Sequence, residues 1–129
     1  MEEANGVHSP MLSHNKPRKF GTDVMQDPTL YRSVVGALQY VTLTRPEIAF
    51  YVNKVCQFME ISLDSHWCLV KRILRYLSGT STHGLLLSPT YPSQALSLRA
   101  YSDSDCANDP DDRRSTSGTC IFIGPNLIS

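Results

Sequence analysis

A change of hydrophobic period at Gly79 constrains this chain more than any other feature. Before it, apolar residues recur at helical spacing; after it, they alternate with polar ones. Three helices followed by three short strands are therefore expected, an α+β fold. Asp27 offers an N-cap carboxylate and Pro28 suits the first helical position, with Leu30, Val34, Leu38 and Val41 as the stripe behind them. Gly36 inside this helix costs about 1 kcal/mol relative to alanine, which points to close approach of a neighbouring helix. Thr44, Arg45, Pro46 and Glu47 read as a capping box, with Ile48, Val52, Val55 and Phe58 behind it. The third helix is expected from Asp64 or Ser65 to Gly79, with Trp67, Val70, Leu74 and Leu77 on one face and Lys71, Arg72 and Arg75 on the rest. Residues 84–88, 96–103 and 119–124 read as strands. In the second of these, Arg99, Tyr101 and Asp103 share one face, opposite Leu96, Leu98 and Ala100. Residues 1–26 mix Gly6, Pro10, Pro17 and Gly21 with polar side chains and no sustained period, and read as an extended lead-in.

Composition excludes more than it specifies. The chain has 129 residues, and its 12 basic side chains are balanced by 12 acidic ones, so it lacks the positive field of a tight, autonomous nucleic-acid binder. Any such binding must be local. Cys56, Cys68, Cys106 and Cys120 form no C-x-x-C pair and have no paired histidine spacing, which disfavours structural zinc and a disulfide framework. His66 and Cys68 lack partners at a ligand spacing, so no metal is assigned to them. No basic flank with an apolar run opens the sequence, and nowhere do eighteen apolar residues run together, as a membrane-spanning helix would need. The expectation is an intracellular, unexported chain with no membrane partner and its compartment otherwise unknown. Phosphate-loop and serine-elbow motifs are missing, as is the Tyr-x-Asp-Asp hairpin of polymerase palms.

Two stretches carry chemistry: Tyr101-Ser102-Asp103-Ser104-Asp105, and Asp111-Asp112-Arg113-Arg114-Ser115-Thr116-Ser117-Gly118. Together with "DPTLYRSVVGALQY", "TRPEIAFYVNKVCQFM", "DSHWCLVKRILRYLSGT", "GLLL" and "PDDRRSTSGTCIFIGPNLIS", they make the chain resemble the pol polyprotein of plant copia-type LTR retrotransposons. The resemblance runs from about Gly6 to Ser129, in the family's order and near its spacing. It implies a three-helix, thumb-like and connecting region of the reverse transcriptase over 27–80. Over 81–129 it implies the first antiparallel strands of an incomplete ribonuclease H-like fold. Asp103 then takes the place of the first catalytic aspartate, a magnesium ligand in the intact family. Cys106 stands where the family usually has tryptophan and Asn108 where glycine is common, which leaves the packing beside that site open. The two-metal chemistry of such enzymes needs several carboxylates. A segment with only this one is expected to have no cofactor and no catalysis of its own.

Each of these positions also has a plainer reading. Asp103 fits equally a turn residue at the end of a strand, and Asp105 fits a solvated loop. Asp109, Asp111 and Asp112 can pair with Arg113 and Arg114 on the surface, or Arg113, Arg114, Ser115 and Thr116 can meet phosphate oxygens. Lys71, Arg72 and Arg75 fit the solvated side of an amphipathic helix; the resemblance would instead have them track an RNA–DNA hybrid or duplex weakly and without sequence preference. Trp67, Tyr76 and Phe58 are expected in the helical core rather than stacked on bases. The strand ending at Asp103 is central in the ribonuclease H sheet and lacks here the later strand that would pair with it, so self-association through that edge is expected as an alternative.

Overall fold

A computed structural model describes residues 6–11, 17, 21–89, 96–106 and 115–129. The chain divides into two compact units, Met1–Gly84 and Leu85–Ser129. The first is helical and the second is a small antiparallel sheet, an α+β combination.

In the helical unit, α1 spans Pro28–Val41, a 3-10 turn Pro46–Ile48 leads into α2 (Ala49–Cys56), and α3 spans Asp64–Gly79. The first helix starts where expected. The Asp27 carboxylate accepts from the Leu30 N–H at 2.9 Å, and Pro28 occupies the first turn, where no donor is needed. Of the expected stripe, Leu38 is buried and Val34 and Val41 pack partly buried against the core, but the first turn departs from it. Tyr31, Val35 and Leu38 are buried, whereas Leu30 is 44 % exposed. The cause is polar as well as apolar: the Tyr31 hydroxyl donates to the Val55 carbonyl at 2.8 Å, so the phenol can turn fully inward. Gly36 does not mark a close helix approach, since a Cβ built there meets nothing within 4 Å.

The capping box expected at Thr44 does not form. Thr44 Oγ1 donates back to the Val41 carbonyl, and Glu47 is taken by the Arg45 guanidinium. Arg45 is itself buried. Its Nη1 and Nη2 donate to the carbonyl and hydroxyl of Thr80 at 2.9 and 2.6 Å, and its guanidinium lies 5.7 Å from the Tyr76 ring centroid. An arginine can be buried here because its fork finds acceptors, among them the Thr80 carbonyl just past the end of α3, which also accepts from the His83 N–H. The stripe Ile48, Val52, Val55 and Phe58 is buried as read.

At the start of α3, Leu63 has no side-chain acceptor, and only the reverse half of a capping box exists: His66 Nδ1 accepts from the Leu63 N–H at 3.1 Å. The next orphan donor, on Asp64, reaches the Asp23 carbonyl at 3.0 Å, beside a bridge between Val24 and Leu63. His66 is fully buried and stacked on Phe58, ring centroids 3.9 Å apart. Together with Leu69, Val70 and Ile73 it forms the innermost side of α3, while Trp67, Leu74 and Leu77 are only partly buried. The third stripe is thus also shifted relative to the expected one.

The lead-in is less passive than its composition suggests. Pro10 and Met25 are buried, and the Cα atoms of Gly6 and Gly79 lie against each other. A Cβ on Gly6 would stand 2.9 Å from Gly79 Cα, and one on Gly79 3.0 Å from Gly6 Cα, so both positions need glycine for this approach.

In the sheet unit, β1 (Leu98–Asp105) pairs antiparallel with β2 (Thr116–Ile123), which pairs with β3 (Asn126–Leu127), in the order β1-β2-β3. Gly124 turns the last hairpin at φ 57° and Pro125 follows with its fixed negative φ, a sequence suited to a type II′ turn. The expected strand at 84–88 is not one. Instead the Asn126 amide holds Ser88, accepting from its N–H at 2.7 Å and donating to its carbonyl at 2.9 Å.

Candidate functional site

Asp103 lies inside β1 rather than at its end. The ladder continues beyond it, Ser104 opposite Ser117 and Asp105 opposite Thr116, so the turn-residue reading of Asp103 does not hold. It sits directly across from Gly118, where a built Cβ would meet nothing within 4 Å. The face above the carboxylate is therefore open on the β2 side. Along the same face, Tyr101 meets Phe122 edge-on at 6.0 Å, and Arg99 lies 5.8 Å from the Phe122 ring while donating to the Gly124 carbonyl at 2.9 Å. Period-two geometry thus collects Arg99, Tyr101 and Asp103 on one exposed surface.

That surface does not constitute a divalent-metal site. Among the described residues no three His, Cys, Asp or Glu side chains converge, and Mg²⁺ in protein sites needs carboxylates or substrate phosphates beyond a single ligand. Arg113 and Arg114, with Asp109, Asp111 and Asp112, lie outside the described residues.

The three cations of α3 have unlike surroundings. Lys71 is exposed. Arg72 donates from Nε to the Ser9 carbonyl at 3.1 Å, and Arg75 Nε is buried without a hydrogen-bond partner among the described residues. The lead-in thus occupies part of the face on which a phosphate backbone would have to lie. Trp67 packs beside Tyr31 at 6.4 Å, Tyr76 lies under Arg45, and Phe58 is buried on His66, so all three aromatics serve the helical unit. Arg45 is the polar centre that sequence reasoning missed. Its position in an apparent capping box disguised a buried side chain whose partner, Thr80, is far along the chain.

Burial, and then the nearby Cys56 thiol, push the Tyr31 phenol well above its ordinary range; burial also raises Cys56, against a lowering hydrogen bond from the Gln39 amide. Neither group is poised as a general base near neutral pH.

Comparison with curated proteins supplies what geometry alone does not. The chain is similar over its whole length to the retrovirus-related Pol polyprotein from transposon RE2 of Arabidopsis thaliana, 43 % identical and covering 9 % of that protein. It is 48 % identical over 80 % of its length to the uncharacterized mitochondrial protein AtMg00810 of the same plant, covering 42 % of it. Over 77 % of its length it is 43 % identical to the secreted RxLR effector protein 161 of Plasmopara viticola, covering 68 % of it. No protein-family model matches, and no solved structure matches significantly. The class the fold defines is an α+β segment of three helices and a small antiparallel sheet. More particularly, relatives that align over the whole chain are retrovirus-related Pol polyproteins of plant transposons, and the chain spans about a tenth of their length.

Proposed function

We propose that the chain is a segment of a copia-type pol polyprotein, comprising the thumb and connecting region of the reverse transcriptase and the opening strands of its ribonuclease H domain. The observation that carries this reading is Asp103, held within β1 on an exposed face opposite Gly118 and following a helical unit in the family's order. In the parent, this aspartate serves as one magnesium ligand in hydrolysis of the RNA strand of an RNA–DNA hybrid, alongside RNA-directed DNA synthesis. The segment alone does not catalyse it, because two-metal chemistry needs several converging carboxylates. Incubating the purified chain with a labelled hybrid and magnesium tests this. No cleavage is expected; turnover that disappears in Asp103→Asn would overturn the reading.

A second function, weak and non-sequence-specific phosphate binding, is supported by the exposure of Lys71. Arg72 and Arg75 contribute less than their spacing suggests, because the lead-in engages that part of α3. Affinity for duplex or hybrid should fall with salt at a slope near one released counterion for each cation engaged. Binding that is absent, or indifferent to salt, would remove this second function.

A further inference from the structure

Only one side of β1 is hydrogen-bonded among the described residues, since the sheet order places β2 on one flank and nothing on the other. Which backbone groups face the free flank follows from a single bond. The Gly124 N–H donates to the Ser97 carbonyl at 2.8 Å, so Ser97 directs its backbone groups toward β2. Direction alternates along an antiparallel strand. Leu98, Ala100, Ser102 and Ser104 therefore turn their N–H and C=O groups outward. The far side of β2 agrees, for Ile121 bonds to Ile128 and Ser129, leaving Cys120 and Phe122 to face Tyr101 and Arg99.

We propose that this flank pairs with the same flank of a second copy of the chain, antiparallel about a twofold axis through Tyr101. In that register each outward-facing residue meets another: Leu98 opposes the second copy's Ser104, and Ala100 opposes its Ser102. Every exposed donor and acceptor of the strand is then matched. A slide by one residue would set outward groups against inward ones, and a slide by two would carry Leu98 or Ser104 past the end of the partner strand. Charge selects the same arrangement. Arg99 lies directly across from the second copy's Asp103, and Asp103 across from its Arg99, on the face both share with Tyr101. Opposite charges at directly facing positions stabilise strand pairs and like charges oppose them. Arg99 spends one N–H on Gly124 and has four more to offer a carboxylate. The contact is isologous, so it closes at two copies rather than propagating along this edge.

Sedimentation equilibrium of the 129-residue chain, with EDTA present so that no metal bridges Asp103, provides the test. A concentration-dependent dimer is expected. Asp103→Arg, which sets arginine against arginine while keeping the Arg99 to Gly124 bond, should weaken dimerisation by about tenfold or more, as should Arg99→Asp. The double exchange restores opposite charges in this register alone, and should return dimerisation to near its original strength. A chain that stays monomeric throughout, a dimer indifferent to Asp103→Arg, or a double variant that fails to recover would each overturn the proposal.

Discussion

The helical unit and the sheet unit solve the same problem differently. Apart from Pro10, the buried apolar side chains among the described residues lie between Met25 and Ile73, and among the described residues of Leu85–Ser129 none is buried. The helices cover one another's apolar stripes and satisfy their ends with Asp27, His66 and Arg45. The sheet has a complete ladder and a tight turn, yet Leu98 remains 72 % exposed. Hydrogen bonds and a few exposed contacts around Phe122 define its shape. Because a backbone hydrogen bond exchanges for one to water, it contributes little net stability without burial, and two or three strands need a covered face to stand independently. One unit carries its own core; the other presents surfaces that need covering.

The largest expected effect tests that contrast directly. Ile73→Ala should cost about 2–5 kcal/mol in urea unfolding followed by helical circular dichroism, since the side chain is fully buried. Ile123→Ala, on the sheet, should change it by no more than about 0.5 kcal/mol. Equal losses would mean that the sheet possesses a core of its own. Next comes Arg45→Met, which keeps the apolar stem but strips the donors from the Thr80 carbonyl and hydroxyl. A loss of about 2 kcal/mol is expected, with Thr80→Ala nearly additive to nothing further if the two act as one unit. Asp27→Ala should cost about 1 kcal/mol through the lost cap on α1.

The smallest effect is one of pH and belongs to the helical unit alone. Tyr31 and Cys56 have folded values raised above their ordinary 10.0 and 9.0, so the fold favours their neutral forms. Their contribution is complete below pH 9.0 and is lost as pH rises through the raised values, because the unfolded chain then releases protons more readily than the native one. The unfolding midpoint should therefore fall as pH climbs beyond that point, and Tyr31→Phe should flatten the decline. An unchanged slope in Tyr31→Phe would show that the phenol is not the group responsible.

Local chemistry was the part of this structure most legible in the sequence. Asp27-Pro28 opens α1 because a cap acts within a few residues, and α3 ends at Gly79 as read, although Gly79 is not left-handed and Thr80 is the cap. The buried side of α2 was also legible from spacing, whereas choosing the innermost residues of α1 and α3 required knowing what stands across from them. Tyr31 took the inward place expected for Leu30 because Val55 offered an acceptor, and His66 joined the core because Phe58 offered a ring. Neither partner can be read from spacing. The same limit hid Arg45, whose acceptors sit beyond α3, and misassigned 84–88, where a side-chain amide does the work of a neighbouring strand. For the site, alternation was enough to put Arg99, Tyr101 and Asp103 together, but the continuation of β1 past Asp103 emerged only from its pairing with β2.

The clamp between Asn126 and Ser88 rests on an amide that both gives and receives, and this makes it vulnerable to ageing. Spontaneous deamidation of Asn126 would exchange its NH₂ for a second carboxylate oxygen, leaving the Ser88 carbonyl facing negative charge instead of a donor. A single hydrolytic event, too small to alter the chain's length and adding only one charge, would strip the clamp of its donor half while the Ser88 N–H still found an acceptor.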